Sequence, residues 1–175
     1  MTEPAAAQPI PDAEAIDRLL RAAARIRELQ PAVAGREPWS LAEDFGVGPE
    51  ASWGPREVLA HVAEMLPFWL GELERVVEAG SRGAGPVPFG RVAEDPMRLG
   101  ILDRDRSLPL RELFDRIDVG TDRWERRLRV LTPGERRARG LHVRAGEVAA
   151  TWIRDRFVVT HLEEHASQLE EIMAR

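Results

Sequence analysis

Three histidines carry the chemical content of this sequence. His61 stands alone in one stretch of periodic apolar residues, and His161 and His165 lie four residues apart in another. On a helix that spacing puts two imidazoles on one face, their β-carbons about 5–6 Å apart. A metal ion about 2.0–2.1 Å from each ring nitrogen bridges such a pair. A third nitrogen from a second helix completes a facial set and leaves at least one position open for chemistry. The same spacing also suits hydrogen-bonded, inert histidines of a helical core. The choice turns on whether position 61 faces the C-terminal pair.

Residues 161–165 read His-Leu-Glu-Glu-His, the inverted zinc-protease pattern in which a glutamate beside the second histidine activates water. Such enzymes take a further ligand well downstream, and only ten residues follow His165, so peptide hydrolysis is a minor reading. Metal-assisted hydrolysis by another route would use Glu64 or Glu164 as the proton acceptor, although each also reads as a solvated helix residue. The fourth histidine, His142, falls in the loop before the last helix and reads as a surface or capping residue.

Composition narrows the class. The chain has 175 residues, no cysteine and a formal net charge of −5. Disulfides, thiolate ligands and a cysteine nucleophile are excluded. The acidic balance disfavours nucleic acid as a partner. An arginine cluster between Arg123 and Arg144 includes Arg126, Arg127, Arg129, Arg136, Arg137 and Arg139, with only Trp124 for stacking. It reads as a solvated face. The opening residues lack the basic start and apolar core of a secretory signal, and no apolar run reaches the roughly 20 residues of a membrane span. A cytoplasmic protein without a membrane partner is expected.

Four stretches have helical periodicity. The first runs from Asp12, a plausible N-cap, to about Gln30, where Pro31 marks a stop. A loop with a short turn near Leu41 leads to the second helix, which opens at Gly54-Pro55 with Glu57 able to reach back. That helix continues to about Gly80, and Pro67 predicts a kink inside it. Residues 80–107 are non-periodic and read as a long crossing or a substrate-closing segment, with Arg91 or Arg98 available for a substrate carboxylate. The third helix spans about Pro109 to Leu131 and the fourth about Gly146 to the end; no strand pattern competes. The expectation is an all-α single domain over residues 1–175, with 1–11 a flexible tail, built as a four-helix bundle with a long crossover between helices 2 and 3. On ideal helical wheels His165 faces the interior, while His61 lies nearer a wet margin shared with Glu57 and Glu64.

SWGPREVLAHVAEMLPFW, over 52–69, resembles the segment of the DinB/YfiT-like family in which a Trp, a helix start and a lone metal-binding His follow in order. RAGEVAATWIRDRFVVTHLEEHASQLEEI resembles that family's last helix, with a Gly-Glu opening and an H-x-x-x-H pair. On this resemblance His61, His161 and His165 fall on the family's three metal positions, while Gly54 departs from the Ser or Thr that often caps the second helix. The resemblance implies an up-down-down-up bundle, often a homodimer, with a divalent zinc, nickel or iron(II) ion. It implies an enzyme acting on a small molecule: a transferase or isomerase using a low-molecular-weight thiol such as mycothiol or bacillithiol, or alternatively a metal-dependent hydrolase. A non-catalytic helical binding or dimerisation module, with histidines that only pack, is the remaining reading.

Overall fold

Apolar spacing produces α1 over Asp12–Glu28, whose buried stripe is Ala15, Leu19, Ala22, Ala23 and Ile26. This computed structural model describes residues 9–43 and 52–175. Most of the expected N-terminal tail and residues 44–51 of the expected loop lie outside the described residues. Asp12 is the first residue of α1 and does not cap it; its carboxylate pairs with Arg154 and, at 2.7 Å, with Arg136. Pro31 does not end the helical path either. The chain turns at Leu29, and α2 (Gln30–Gly35) restarts with the proline in its first turn, where a missing N–H costs nothing.

The longest helix, α3, spans Pro55–Ser81 and carries Pro67 within an unbroken helical run. Its start is closed by Glu57, which is fully buried: one oxygen accepts from Gly54 N at 3.1 Å and the other from Ala42 N at 2.9 Å. The side chain three residues into the helix thus replaces the cap that glycine lacks. After strand β1 (Val87–Phe89) comes α4 (Pro96–Asp105), capped by Asp95 accepting from Met97 N and Arg98 N at 3.0 Å. Then follow α5 (Leu110–Val130), the short α6 (Pro133–Arg137), strands β2 (Arg139–His142) and β3 (Gly146–Ala149), and α7 (Ala150–Trp152). A π-helical run, Ile153–Thr160, links α7 to α8 (His161–Ala174).

The protein is mostly helical, with two departures from the expected all-α reading. The 80–107 segment is not structureless, since it holds β1 and α4. The last helix begins at Ala150 and not at Gly146, because Gly146–Ala149 pairs antiparallel with β2, while β2 pairs parallel with β1. Burial along β2 alternates against hydropathy: Gly140 and His142 face inward, Arg139 and Leu141 outward. A β-carbon on Gly140 would lie 2.6 Å from the Phe89 ring and 2.7 Å from Val76. A bare backbone is what lets this small sheet lie against α3. No described helix is long and apolar enough to cross a membrane.

Around the core, α3 packs on α5 and α8, and α1 packs on the other sides of the same two helices. Leu19, Leu59, Leu66, Leu113, Ile117, Trp124, Leu162 and Leu169 are buried at this junction. Trp124 of α5 donates its Nε1–H to the Leu66 carbonyl of α3 at 2.8 Å, which fixes the two helices axially. Gly120 lets them approach: a β-carbon there would lie 2.9 Å from Leu66 Cβ, an atom with little freedom to retreat. A Gly120→Ala variant should therefore lose about 1–2 kcal/mol in urea unfolding, although alanine is the better helix former by about 1 kcal/mol. A stabilised variant would show that the crossing is looser than these contacts require.

Candidate metal centre

His61 occupies the second turn of α3, and His161 opens α8 directly after the π-helical run. The packing of α3 on α8 brings them together: His61 Nε2 and His161 Nε2 are 3.1 Å apart. His165 lies one turn further along α8, its ring centroid 4.7 Å from His61 and 4.5 Å from His161. One ligand atom from each of the three falls within 4.8 Å of the others. The expected convergence of position 61 with the C-terminal pair is thus present. Tetrahedral nitrogens about 2.05 Å from an ion would be about 3.3 Å apart, so the closest pair already sits near ligand spacing.

Burial sets the protonation of the cluster. His61 is 4% exposed and His165 3%. Desolvation is the largest cause holding His61 well below the ordinary imidazole value; the neighbouring His165 and His161 and the guanidinium of Arg98 push the same way. His161 is lowered to about 3, again first by burial, then by His165, Arg156 and Arg98. Neutral imidazoles are the form a metal accepts. The wet margin expected beside His61 is a correction: Glu57 and Glu64, on that side, are themselves buried.

Hydrogen bonds assign the tautomers. Gln168 Oε1 can only accept, so His165 donates Nδ1–H to it at 2.8 Å and keeps its Nε2 lone pair for an ion. His61 is arranged differently. A guanidinium has no acceptor, so the 3.4 Å contact from Arg98 Nη2 places a lone pair on His61 Nδ1 and the proton on Nε2, which then donates to His161. For His61 to ligate through Nε2, that proton must move to Nδ1, and two N–H groups would then oppose each other. Arg98 must give way, and a contact of 3.4 Å is weak enough to allow it. The residues fit a divalent ion on this condition.

Other candidates are placed as follows. Glu64 gives both oxygens to Arg91 Nη2 at 2.5 Å, and the Arg91 guanidinium lies 3.7 Å from the Phe68 ring centre. Glu164 is exposed, 3.5 Å from Arg156. Arg98 is buried and also donates to the Ala93 carbonyl at 2.9 Å. His142 is not a surface residue. It is 7% exposed among Trp152, Phe157, Phe89 and Trp69, and its Nδ1 accepts from the backbone N–H of Arg144 and Ala145, so the expected capping geometry occurs inside the protein. Much of the arginine cluster forms ion pairs, as on a solvated face: Arg127 with Glu74 and Glu135, Arg129 with Glu125, Arg139 with Glu147.

Sequence reasoning missed Gln168 and the roles of Trp69 and Phe157. Gln168 had a signal, since it lies one turn from His165. Trp69 and Phe157 stack in parallel at 3.8 Å beside a cavity of about 130 Å³ that His61 and His161 also line. A groove of about 750 Å³ between α3, α4 and α5 is lined by none of the three histidines. Compared with known proteins, the chain matches no family model, no curated protein and no solved structure.

Two outcomes are expected. In the ion-free protein the unfolded chain takes up protons below about pH 6.5 while folded His161 resists down to about 3, so stability rises with pH across that window. The slope is at most about 1.4 kcal/mol per pH unit for each such histidine. Urea unfolding of chelator-treated protein from pH 4 to 7 should show it, and His161→Gln should flatten it. Arg98→Gln supplies an acceptor for His61 Nδ1–H and should tighten zinc or nickel binding by roughly tenfold in competition titrations. Weaker binding would mean that Arg98 supports the ligating form.

Proposed function

We propose that this chain is a metal-dependent enzyme in which His61, His161 and His165 hold a divalent ion that activates a low-molecular-weight thiol for transfer to, or isomerisation of, a small molecule. The observation that carries this reading is the meeting of three imidazole ligand atoms within 4.8 Å, drawn from two helices, with no carboxylate in the set. The resemblance of segments 52–69 and 144–172 to the DinB/YfiT-like family supports it. So does the ring of contacts α1–α5–α3–α8, which fits an up-down-down-up four-helix bundle crossed by the segment holding β1 and α4. Zinc, nickel or iron(II), mycothiol or bacillithiol, a homodimer and a cytoplasmic setting belong to the same proposal.

A bound divalent ion would lower a coordinated thiol's pKa until the thiolate, the competent nucleophile, is the stable form. The chain's own part is to present three neutral donors and a water-poor surround. Burial keeps His61 and His161 unprotonated, Gln168 holds the His165 ring, and Trp69 and Phe157 wall the side on which His61 and His161 meet the cavity. With no cysteine in the sequence, the nucleophile must be borrowed. Hydrolysis through metal-bound water is less well supported, since it needs a carboxylate to receive a proton. Glu64 is already committed to Arg91, and Glu164 faces solvent.

Tag-free protein should retain close to one equivalent of divalent metal by elemental analysis, and His161→Ala should lose most of it. Metal-loaded protein should then bind mycothiol or bacillithiol in calorimetry and conjugate it to model electrophiles. Unchanged metal content in His161→Ala, or no thiol binding by loaded protein, would refute the proposal.

A further inference from the structure

The cavity beside the histidines has a composition that selects among small molecules. His61 and His161 form one end; Met65 and the parallel Trp69–Phe157 pair form apolar walls; Arg91 and Arg98 supply cations, Arg98 being turned to His61 and the Ala93 carbonyl. Arg91 is held rigidly. Its Nη2 meets both oxygens of Glu64, and its guanidinium carbon lies 3.7 Å from the Phe68 ring centre. Neither Nε nor Nη1 of Arg91 has an acceptor among the described residues. With Nη2 taken by Glu64, Nε and Nη1 can each donate singly to one oxygen of a carboxylate, and little side-chain entropy remains to be lost on binding.

We infer that this cavity is a subsite for a small, flat organic monocarboxylate, its carboxylate on Arg91, its apolar body against Trp69 and Phe157, and its far end toward His61 and His161. Size sets the class: about 130 Å³ compares with the roughly 150 Å³ of an engineered apolar cavity that takes benzene. One ring or a short carbon chain fits, and the bulk of a sugar-bearing thiol must stay outside. Charge sets it further. Glu64 already balances Arg91 and the buried Arg98 adds one further cation to the lining, so a monoanion is favoured over a phosphate dianion that would face the Glu64 carboxylate at close range. The inference rests on the metal reading only for where the reacting end lies; the carboxylate contact itself needs no ion.

Benzoate and benzamide, equal in shape and different in charge, form the test. Chelator-treated wild-type protein titrated with each, read by the fluorescence of Trp69 and its neighbours and by calorimetry, should bind benzoate at least tenfold more tightly. Arg91→Gln should abolish that preference, and inorganic phosphate should not displace benzoate. Benzoate bound only by metal-loaded protein, with Arg91→Gln unchanged, would make the carboxylate a metal ligand and overturn the inference. Should Arg91→Gln fail to fold, equal or absent binding of benzoate and benzamide by the wild type overturns it on its own. Should tag-free protein never treated with chelator retain no divalent metal and still prefer benzoate, the metal reading falls and this one stands.

Discussion

The contact on which the site depends is the approach of His61 on α3 to His161 on α8, two ring nitrogens 3.1 Å apart inside the protein. Two protonated imidazoles cannot occupy that space, and even one would stand near the Arg98 guanidinium. The contact therefore excludes double protonation, and burial, the largest influence on both rings, favours the neutral forms. It also requires that α3 and α8 hold their relative position without help from the histidines. Leu59 and Val62, fully buried beside His61, and Leu162 and Ala166, fully buried beside His161 and His165, belong to the one core that does this. Packing comes first, and the chemistry is laid on it.

The π-helical run before His161 connects this packing to the cavity. A π turn places one more residue per turn than an α turn, so it changes which side chains face a neighbouring helix. Here Phe157, within the run, lies parallel to Trp69 of α3, while His161, the next residue after the run, meets His61 of the same helix. The aromatic wall and the histidine pair are thus set by one local irregularity. Opposite them, Gly90, with φ at +82°, donates its N–H to Glu72, and Arg91 is clasped by Glu64. The connection between β1 and α4 is thereby tied back onto α3 as a wall of the cavity.

What could be read from the sequence follows from what repeats. The stripes of α1, α3 and α5 are long enough for period 3.6 to emerge, and the i,i+4 histidine pair needs only a helix to be meaningful. The strands are three or four residues long, and in β2 the inward positions are glycine and histidine while a leucine faces out, so alternation carried the wrong sign. His142 misled for the same reason. Its polar type suggested solvent, but the backbone N–H groups of Arg144 and Ala145 satisfy its Nδ1 and allow burial. Glu64 looked solvated because its partner, Arg91, is 27 residues away across the least periodic part of the chain. Pairings of that kind leave no local signature.

One tension remains built into the cluster, and it bears on how an ion would enter. Among these residues the proton sits on His61 Nε2 because Arg98 can only donate to Nδ1, so His61 and His161 hold each other through one hydrogen bond. To hold a divalent ion through those nitrogens, His61 and His161 would give up that bond and the His61 proton would return to Nδ1, where Arg98 would no longer fit. The cost would be modest: one hydrogen bond between neutral rings, a tautomer exchange and one long contact. His165 needs no such change, because Gln168 already holds its proton on the far nitrogen. The cluster is thus closed on itself by one hydrogen bond, and the groups that would have to move for three nitrogens to face a common ion are the ring of His61 and the side chain of Arg98.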